Sequence, residues 1–467
     1  MSTGVTVPLA EWTANLSYDA IPAPVRERAK HLLLDGVACG LVGAQLPWSR
    51  VATRATLGIE STGEATVIGT GLTTSGPASV VLNSTFIQGF ELDDFHPLAP
   101  LHSNSLILPV LFAGARQLGT VTGKDALTAA VAGFEVGPRV GLALHGAEML
   151  SRGWHSGPVF GTHTAAMTTG KLYGLDAARL EDALGMAGTQ SGGLMAAQYE
   201  AMSKRMQHGF AARNGFYAAG LAAGGYTGIK QVFDRPYGGF LAVFGEGHDP
   251  DPSQIIAGLG ELWHTTVIMV KSYAAQGGLH GTIQAALELR AEHDIDPATI
   301  EKIEIGVGDA VYHHGWWQPE RPLTAIGAQM NLGYAAAVAL LDGAALPPQF
   351  AAERLAADDV WQLLSKVDVR LDEGIENGPR EQRFSTDLTI TLRDGTRLHR
   401  RVIAPHGAPN DPVTNDELVA KYRALVGPIL GADRLTAIEH AVLGLDDLAD
   451  LNDLTALLAA PVAGTLD

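Results

Sequence analysis

The spacing of apolar residues changes about halfway along the chain. Through roughly the first 245 residues, apolar positions recur every three to four residues, the spacing of helices with one buried face. In IPAPVRERAKHLLLDGVACG, Pro22 and Pro24 suit a helix start, and Val25, Ala29 and Leu32 follow one face. Segments such as GFAARNGFYAAGLAAGGYTG are rich in small residues, which lets helix backbones approach closely. The pattern predicts a predominantly helical first part.

Strand-like alternation begins only after the loop GEGHDPDPSQ. TTVIMVK, KIEIGVG and VDVRLDEG have strand composition, and LTITLRDGTRLHRRV predicts a hairpin that turns at Asp394 and Gly395. These strands are interspersed with helical segments such as LHGTIQAALELRAEH. The second part is therefore predicted to be a smaller α+β unit.

Helical periodicity returns near the end of the sequence. Thr414 and Glu417 form a capping-box pattern ahead of LVAKYRALVG. The last two helical segments could not bury their apolar faces alone, so we expect them to pack on the first part. The fold class is then mainly α with an α+β part: a discontinuous all-helical domain over 1–266 and 406–467, and an α+β lid over 267–405.

Composition narrows the functional classes. The 467 residues are 46% hydrophobic and 18% charged, which is typical of a folded globular chain, and the net charge is −18. An acidic surface disfavours nucleic acid and anionic membranes as partners. Cys39 is the only cysteine, so an internal disulfide or a thiolate cluster is excluded. No apolar run reaches membrane length and MSTGVTVPLAEW has no basic leader region, so we expect a cytoplasmic protein.

The stretch ELDDFHPLAPLHSNS places three acids and two histidines between apolar segments. Upstream, the pattern predicts a helix whose apolar stripe passes through Leu82, Phe86 and Phe90 and next reaches Asp93. A carboxylate on that stripe would be partly buried.

His102 in the same stretch precedes a predicted helix, LILPVLFAGARQLG, which Ser103 or Ser105 can cap. The helix dipole disfavours a protonated histidine there, whereas the neighbouring acids favour it, so His102 is a tunable acid. Two other interpretations stay open. The acids can be ordinary caps with histidines in loop hydrogen bonds, or His96, His102 and the aspartates can form a metal site, although no regular ligand spacing supports one.

Four further residues could complete a site. His155 lies between glycines in GWHSG, Lys204 begins the cationic pair that includes Arg205, and Lys271 ends an apolar strand. Tyr334 precedes the helix AAAVALL. Each also has a structural interpretation: a packed histidine, a solvated helix start, a strand-end lysine and a core aromatic. Because no Gly-rich phosphate loop, GxSxG elbow or pyridoxal motif stands out, the residues indicate a cofactor-free, cation-lined site for a carboxylate, without naming the reaction.

Several long segments resemble the MmgE/PrpD family, which includes 2-methylcitrate dehydratases, iminodisuccinate epimerase and cis-aconitate decarboxylases. The resemblance spreads over nearly the whole chain and is carried by AKHLLLDGVACGLVGA, ELDDFHPLAPLHSNSLILPVLF, RGWHSGPVFG, GTQSGGLMAAQY, KRMQHGFAARNG, YGGF, QPERPLTAIGAQM and VLGLDDLADLNDL. It implies a homodimer with a helical domain, a lid and an active site between them that uses no metal or organic cofactor.

The resemblance also implies roles for individual residues. The expected catalytic residues are His102, His155, Lys204, Lys271, Tyr334 and Asp93. The expected substrate-binding residues are Glu91, Asp94, Arg205, Ser103, Gln276 and His280. Two positions depart from the family pattern, since many members have Asp where this chain has Glu91 and Thr where it has Phe95.

The wording HPLAPLH is most similar to the decarboxylase version of the acidic loop. It implies decarboxylation of cis-aconitate to itaconate through an allylic carbanion that a histidine protonates on carbon. The alternatives are dehydration of citrate or 2-methylcitrate, epimerisation of an amino- or imino-dicarboxylate, and a tricarboxylate-binding protein without catalysis.

Overall fold

The computed structural model of the chain describes residues 4–379, 382–408 and 411–464, and the predicted fold class is confirmed: mainly α with an α+β part. The first part consists of eleven helices within these residues: α1 Thr6–Asn15, α2 Ala23–Gly43, α3 Pro47–Ile59, α4 Gly76–Ile87, α5 Asn104–Leu118, α6 Gly123–Ala143, α7 Ala147–Ser151, α8 Ser156–Leu172, α9 Ala177–Gly188, α10 Ser203–Ala223 and α11 Phe240–Phe244. As predicted, α2 follows Pro22 directly and buries Val25, Ala29 and Leu32.

Short strands accompany these helices. β1 (Ala65–Val67) pairs antiparallel with β2 (Leu72–Thr74), and β3 (Asp94–Phe95) pairs antiparallel with β4 (Met269–Val270). The predicted strand TTVIMVK is thus wrong for its first half. Thr265 lies in a 3₁₀ turn, because its backbone N–H and hydroxyl both donate to the carboxylate of Glu135 instead of joining a ladder.

The α+β part contains the remaining strands and most of the later helices. Its elements are α12 His280–His293, β5 Ile300–Val307, α13 Asp309–Gly315, α14 Ala325–Ala328, α15 Leu332–Asp342, α16 Ala352–Ala356, α17 Asp358–Leu364, β6 Val367–Leu371, α18 Glu373–Glu376, β7 Thr386–Leu392 and β8 Arg397–Val402. The four strands form one sheet in the order β6-β5-β7-β8, with β5 and β6 parallel and the other pairs antiparallel. The predicted hairpin is confirmed, and Gly395 supplies the positive φ of 86° at its turn.

Three helices end the described chain: α19 Asn415–Val426, α20 Ala432–Leu443 and α21 Leu451–Ala459. The predicted capping box of Thr414 and Glu417 is present at the start of α19. α19 and α20 contact α2, and α21 contacts α5, so the end of the chain packs on its beginning. The boundaries of the two domains stay a prediction.

Within the described residues, no single helix has both the length and the apolar character needed to cross a bilayer. Among the described helices, one consecutive pair, α2 and α3, meets the test together, and the two are bent by 83° where they join.

Two local features bring the acidic stretch to the centre of the molecule. The predicted helical stripe through Phe90 is wrong, because α4 ends at Ile87, Gln88 follows as its cap and the backbone of Glu91 adopts a left-handed φ of 54°. The following strand pair β3–β4 sets Asp94 opposite Val270. In that antiparallel register Asp93 faces Lys271, which joins the acidic stretch to the segment that enters the α+β part.

Candidate active site

A cavity lies between the helical part and the α+β part, and both contribute to its walls. The helical part provides Glu91, Phe95, Pro100, His102, Ala147, Leu150, His155, Ser156, Met195 and Lys204. The other side provides Lys271, Gln276, Gly277, Gly278, Ala310, Val311, His314, Met330, Arg383 and Phe384. Of the predicted site residues, Glu91, His102, His155, Lys204, Lys271 and Gln276 therefore line one cavity.

Glu91 is the centre of a buried group of charges. Its Oε1 accepts from Nζ of Lys204 at 2.7 Å and from the guanidinium of Arg205, and its Oε2 accepts from Nζ of Lys271 at 2.6 Å. The Lys271 amine also lies 3.3 Å from Oδ1 of Asp93. Because both oxygens of Glu91 already bond to cations, the structure favours a positioning role over the predicted substrate contact.

The group carries more positive than negative charge, and the pKa shifts reflect this. Burial raises the pKa of Glu91, but the charges of Lys204, Lys271 and Arg205 outweigh it and hold the pKa well below its usual range. Burial lowers the pKa of Lys204 to about 8, against the opposing pull of Glu91. Burial also lowers the pKa of Lys271, but Glu91 and Asp93 outweigh it and leave the pKa raised. Both lysines can thus present a proton-bearing amine to an anion in the cavity at neutral pH.

Asp93 and His102 form a second pair at the edge of this group. Nδ1 of His102 lies 3.0 Å from Oδ2 of the fully buried Asp93. Burial raises the pKa of Asp93, but the charges of His102 and Lys271 outweigh burial and leave the pKa below its usual value. The carboxyl is therefore ionised at neutral pH. A carboxylate at Nδ1 stabilises the charged imidazolium, which leaves Nε2 as the nitrogen that can give a proton to a molecule in the cavity.

His155 has a different environment from His102. Its Nδ1 lies 2.6 Å from the amide oxygen of Gln207, whose own amide group donates to the carbonyl of Leu194. An amide oxygen only accepts, so Nδ1 carries the proton and Nε2 is the acceptor. Burial, assisted by the charge of Lys204, lowers the pKa of His155 well below its usual range. The ring of His208 lies edge-on between the two, 4.9 Å from each ring centroid.

Asp94 does not reach the cavity, contrary to the prediction that it binds substrate. Its two oxygens accept from the backbone N–H groups of Ser103 and Asn104 at 3.0 Å each, so Asp94 caps α5. Burial and the neighbouring Asp93 raise the pKa of Asp94 to about 8, whereas the hydrogen bonds from the two backbone N–H groups favour its carboxylate. The expected side-chain cap by Ser103 or Ser105 is wrong: Ser103 makes no such bond, and Ser105 donates instead to the carbonyl of His102.

Four more predicted residues lie away from the cavity walls. Ser103 is fully buried at the start of α5. Arg205 lies behind Glu91, where Nη2 of its guanidinium donates to the amide oxygen of Gln329 at 2.7 Å. His280 is within 3.2 Å of the carbonyl of Ala275 and packs on Tyr273. The prediction of a catalytic Tyr334 is not supported, because its buried ring packs on Phe350 and its hydroxyl donates to the carbonyl of Gln349.

His96, which the alternative metal site would need beside His102, lies elsewhere. Its Nε2 lies 3.1 Å from Nδ1 of His264, and both rings line a second cavity that does not include His102. In the described part of the chain, no three His, Cys, Asp or Glu side chains are grouped so that they could hold a metal ion.

Several residues around the cavity were not among the predicted site residues. Phe95 and Phe384 meet edge-on at 6.1 Å between centroids, and the Lys271 amine lies 5.8 Å from the Phe95 ring. Gln329 ties the site together by accepting from Arg205 and donating to the carbonyls of Phe90 and Ala274. Signals for two of them were present in the sequence: QPERPLTAIGAQM contains Gln329, and the paired histidine in YHHGWW contains the wall residue His314.

Comparisons with known proteins identify the family of the chain. Residues 7–253 match the MmgE/PrpD N-terminal domain and residues 273–447 match the MmgE/PrpD C-terminal domain. The chain is 45% identical to a cis-aconitate decarboxylase-like protein of Aspergillus oryzae, with 97% of each chain covered. It is 41% identical to a cis-aconitate decarboxylase of Aspergillus terreus, with 99% and 98% covered, and 28% identical to the human cis-aconitate decarboxylase, with 94% and 91% covered.

Proposed function

The chain belongs to the MmgE/PrpD family, and from that premise we propose that it is a carbon–carbon lyase that decarboxylates cis-aconitate to itaconate. The observation that carries the proposal is the convergence of Lys204, Lys271 and His102 on one cavity. Two amines and an imidazole with a carboxylate behind it suit a polyanion that must lose CO2 and gain a proton.

Substrate binding depends on the excess of positive charge. Cis-aconitate carries three carboxylates, and an acidic protein can hold it only where cations are concentrated locally. Lys204 and Lys271 are fixed by Glu91, so their orientation is set before the substrate arrives. This preorganisation lets the amines stabilise charge as it develops, without reorganising during the reaction.

The bond that breaks joins the CH2 carbon to its carboxylate. The electron pair stays on the carbon skeleton and delocalises through the adjacent double bond into the conjugated carboxylate. A lysine amine beside that carboxylate stabilises the transition state more than the substrate, since negative charge on it increases during the step.

Protonation completes the reaction. We assign the proton to Nε2 of His102, because Asp93 at Nδ1 supports the charged ring. The proton goes to the former vinylic carbon and gives itaconate. His155 is neutral and presents an acceptor nitrogen, so it suits a hydrogen bond to a protonated group rather than proton donation.

We further propose that the reaction needs no metal or organic cofactor and that the chain is a homodimer. The first rests on the sufficiency of the lysines and His102 for each step. Support for the second is an outward face of α10, where Phe210, Tyr217 and Leu221 lie on one side of the helix and are 41%, 43% and 43% exposed. Light scattering should give twice the chain mass of 49.0 kDa, and Tyr217→Glu should shift it toward one chain.

The reaction itself is tested by proton NMR in D2O. Purified protein with a chelator is mixed in turn with cis-aconitate, citrate and 2-methylcitrate. We expect itaconate carrying one deuterium on its saturated CH2 carbon, from cis-aconitate alone. Conversion of citrate or 2-methylcitrate to an unsaturated acid would favour a dehydratase, and binding of all three without turnover would favour a non-catalytic tricarboxylate-binding protein.

A further inference from the structure

The part of the cavity wall that α13 and its neighbours contribute differs from the parts around Lys204 and Lys271. Ala310, Val311, Met330 and Phe384 make it largely apolar. The polar groups among them are His314, at the end of α13, Gln276, in the loop before α12, and Arg383.

Two buried nitrogens on this wall lack a hydrogen-bond partner among the described residues: Nε2 of His314 and Nε2 of Gln276. The oxygen of the Gln276 amide accepts from the N–H of Gly278 at 3.0 Å, which fixes its orientation. A β-carbon at Gly315 would lie 3.2 Å from Nε2 of Gln276, so this amide group lies against the end of α13, next to His314. Because both residues line the cavity, a molecule bound there can accept from both nitrogens.

Both groups are neutral at pH 7. Burial lowers the pKa of His314 to about 4, the neighbouring His313 lowers it too, and Asp309 opposes them. The cation on this wall, Arg383, is held by the acidic loop. Its carbonyl oxygen lies 3.6 Å from a β-carbon built on Gly308, which precedes α13, and its guanidinium donates to the carbonyl of Pro97.

A carboxylate that leaves as CO2 loses its charge during the reaction. A cation in contact with it would stabilise the substrate more than the transition state and would slow the step. Neutral donors on an apolar wall orient the same carboxylate without that penalty. We propose that His314 and Gln276 form the subsite for the departing carboxylate, and that Lys204 and Lys271 hold the carboxylates that remain.

This subsite rests on the proposed decarboxylation, in which atoms and charges balance. The C–C bond to the carboxylate at the His314 subsite breaks, its electron pair enters the allylic system, and CO2 leaves as a neutral molecule without taking a proton. The carbon that loses CO2 becomes the terminal methylene of the new double bond, and His102 gives its proton to the former vinylic carbon. His314 and Gln276 act only as hydrogen-bond donors.

Binding measurements with two anions test the subsite. Propane-1,2,3-tricarboxylate has the extra carboxylate and cannot react, whereas itaconate lacks the departing carboxylate. For His314→Leu we expect the dissociation constant of the tricarboxylate to rise about tenfold or more, the usual loss for a hydrogen bond to a charged group, with itaconate changed less than about twofold. His313→Leu is the matched control, since His313 is the exposed neighbour and does not line the cavity. Equal weakening of both anions by His314→Leu would overturn the assignment.

His314→Lys gives an independent readout by placing a cation at the subsite. We expect tighter or unchanged binding of the tricarboxylate together with a kcat at least about tenfold lower, because the cation favours the substrate over the transition state. His313→Lys should leave both near the parent values. A kcat that is unchanged or higher in His314→Lys would overturn the assignment. If the parent protein forms no itaconate, the proposed function fails, whereas the comparison of the two anions still scores the subsite.

Discussion

Two of the buried charge groups in the described chain differ in what their cations contact. The first is the cavity cluster: Glu91, Asp93, His102, Lys204 and Lys271. The second is the loop anchor: Glu135, Arg139 and the turn that begins at His264. Side chains of Glu91 and Glu135 are both essentially inaccessible to solvent.

In the loop anchor, the charges bond to backbone. Glu135 accepts from the N–H groups of His264 and Thr265 at 3.0 and 2.9 Å, and Arg139 donates to the carbonyls of Ala257 and Leu262 at 2.6 and 2.8 Å. In the cavity cluster, the lysines bond to carboxylates and also line a cavity. Burial raises the pKa of Glu135, whereas cations hold that of Glu91 low. Of these two groups, only the cavity cluster has more cations than acids and has cations that line a cavity, so only this cluster can bind an anionic substrate.

The largest expected effect is loss of the proton donor from the cavity cluster. His102→Ala should lower kcat by about two to four orders of magnitude, the usual contribution of a general acid, with much less effect on binding. Steady-state kinetics with cis-aconitate measures this, and circular dichroism checks the fold. A loss smaller than about tenfold would remove His102 from the role.

Removing one cation from each group should separate an effect on catalysis from an effect on the free energy of unfolding. Arg139→Met leaves a buried carboxylate without its cation, so unfolding by urea should show a loss of about 3–5 kcal/mol while kcat of the folded fraction stays near that of the parent. Lys204→Met leaves Glu91 with two other cations, so it should cost less stability and instead raise KM and lower kcat together. The reverse pattern would mean that the two groups were assigned the wrong way round.

The alkaline side of the pH–rate profile should depend on Lys204. Its pKa of about 8 in the free protein predicts that kcat/KM falls above that pH, as the amine loses its charge. Lys204→Arg keeps the charge at all accessible pH values, so its profile should stay flat to higher pH even if its rate is lower. An unshifted fall in the Arg variant would assign the titration to another group.

The smallest expected effect is a difference in how acid changes stability. The folded pKa of Glu91 is below its ordinary value of 4.5, so Glu91 adds stability at neutral pH that is lost as the pH falls toward the folded pKa. The folded pKa of Glu135 is raised, so its contribution is present below pH 4.5 and is lost as the pH rises through the folded value.

Glu91→Gln and Glu135→Gln should therefore behave in opposite ways. Between pH 7 and about pH 4, the stability difference from the parent should shrink for Glu91→Gln and grow for Glu135→Gln, as measured by urea unfolding at each pH. Two changes of the same sign would contradict the assigned charge states.

Much of the fold follows from the sequence because it depends on local patterns. The start of α2 after Pro22, the hairpin turn at Gly395 and the capping box at Thr414 each arise from residues within a few positions of one another. The strand before Lys271 was overestimated, because Glu135, which is distant in sequence, takes the hydrogen bonds of Thr265. Local propensity carries no information about such a competitor.

The candidate site, like the fold, was predicted from the sequence in part and decided by contacts distant in sequence for the rest. Residue types and the family resemblance selected His102, His155, Lys204, Lys271 and Gln276, and the structure brings all five to one cavity. Asp94 follows Glu91 by three residues. The sequence could not show that Glu91 is held among three cations whereas Asp94 caps α5. Both are acids in one loop, and only the left-handed turn at Glu91 and the β3–β4 register decide which direction each side chain takes.

The amino-acid sequence alone determined the helical character, the later strands and the supply of cations and histidines, because these depend on composition and short spacing. The tertiary structure decided which charges meet, since the contacts of Glu91 with Lys204 and Lys271 join residues 113 and 180 positions apart. It also decided which of two adjacent histidines, His313 or His314, borders the cavity. That choice depends on how α13 is rotated against its neighbours, which is fixed by packing.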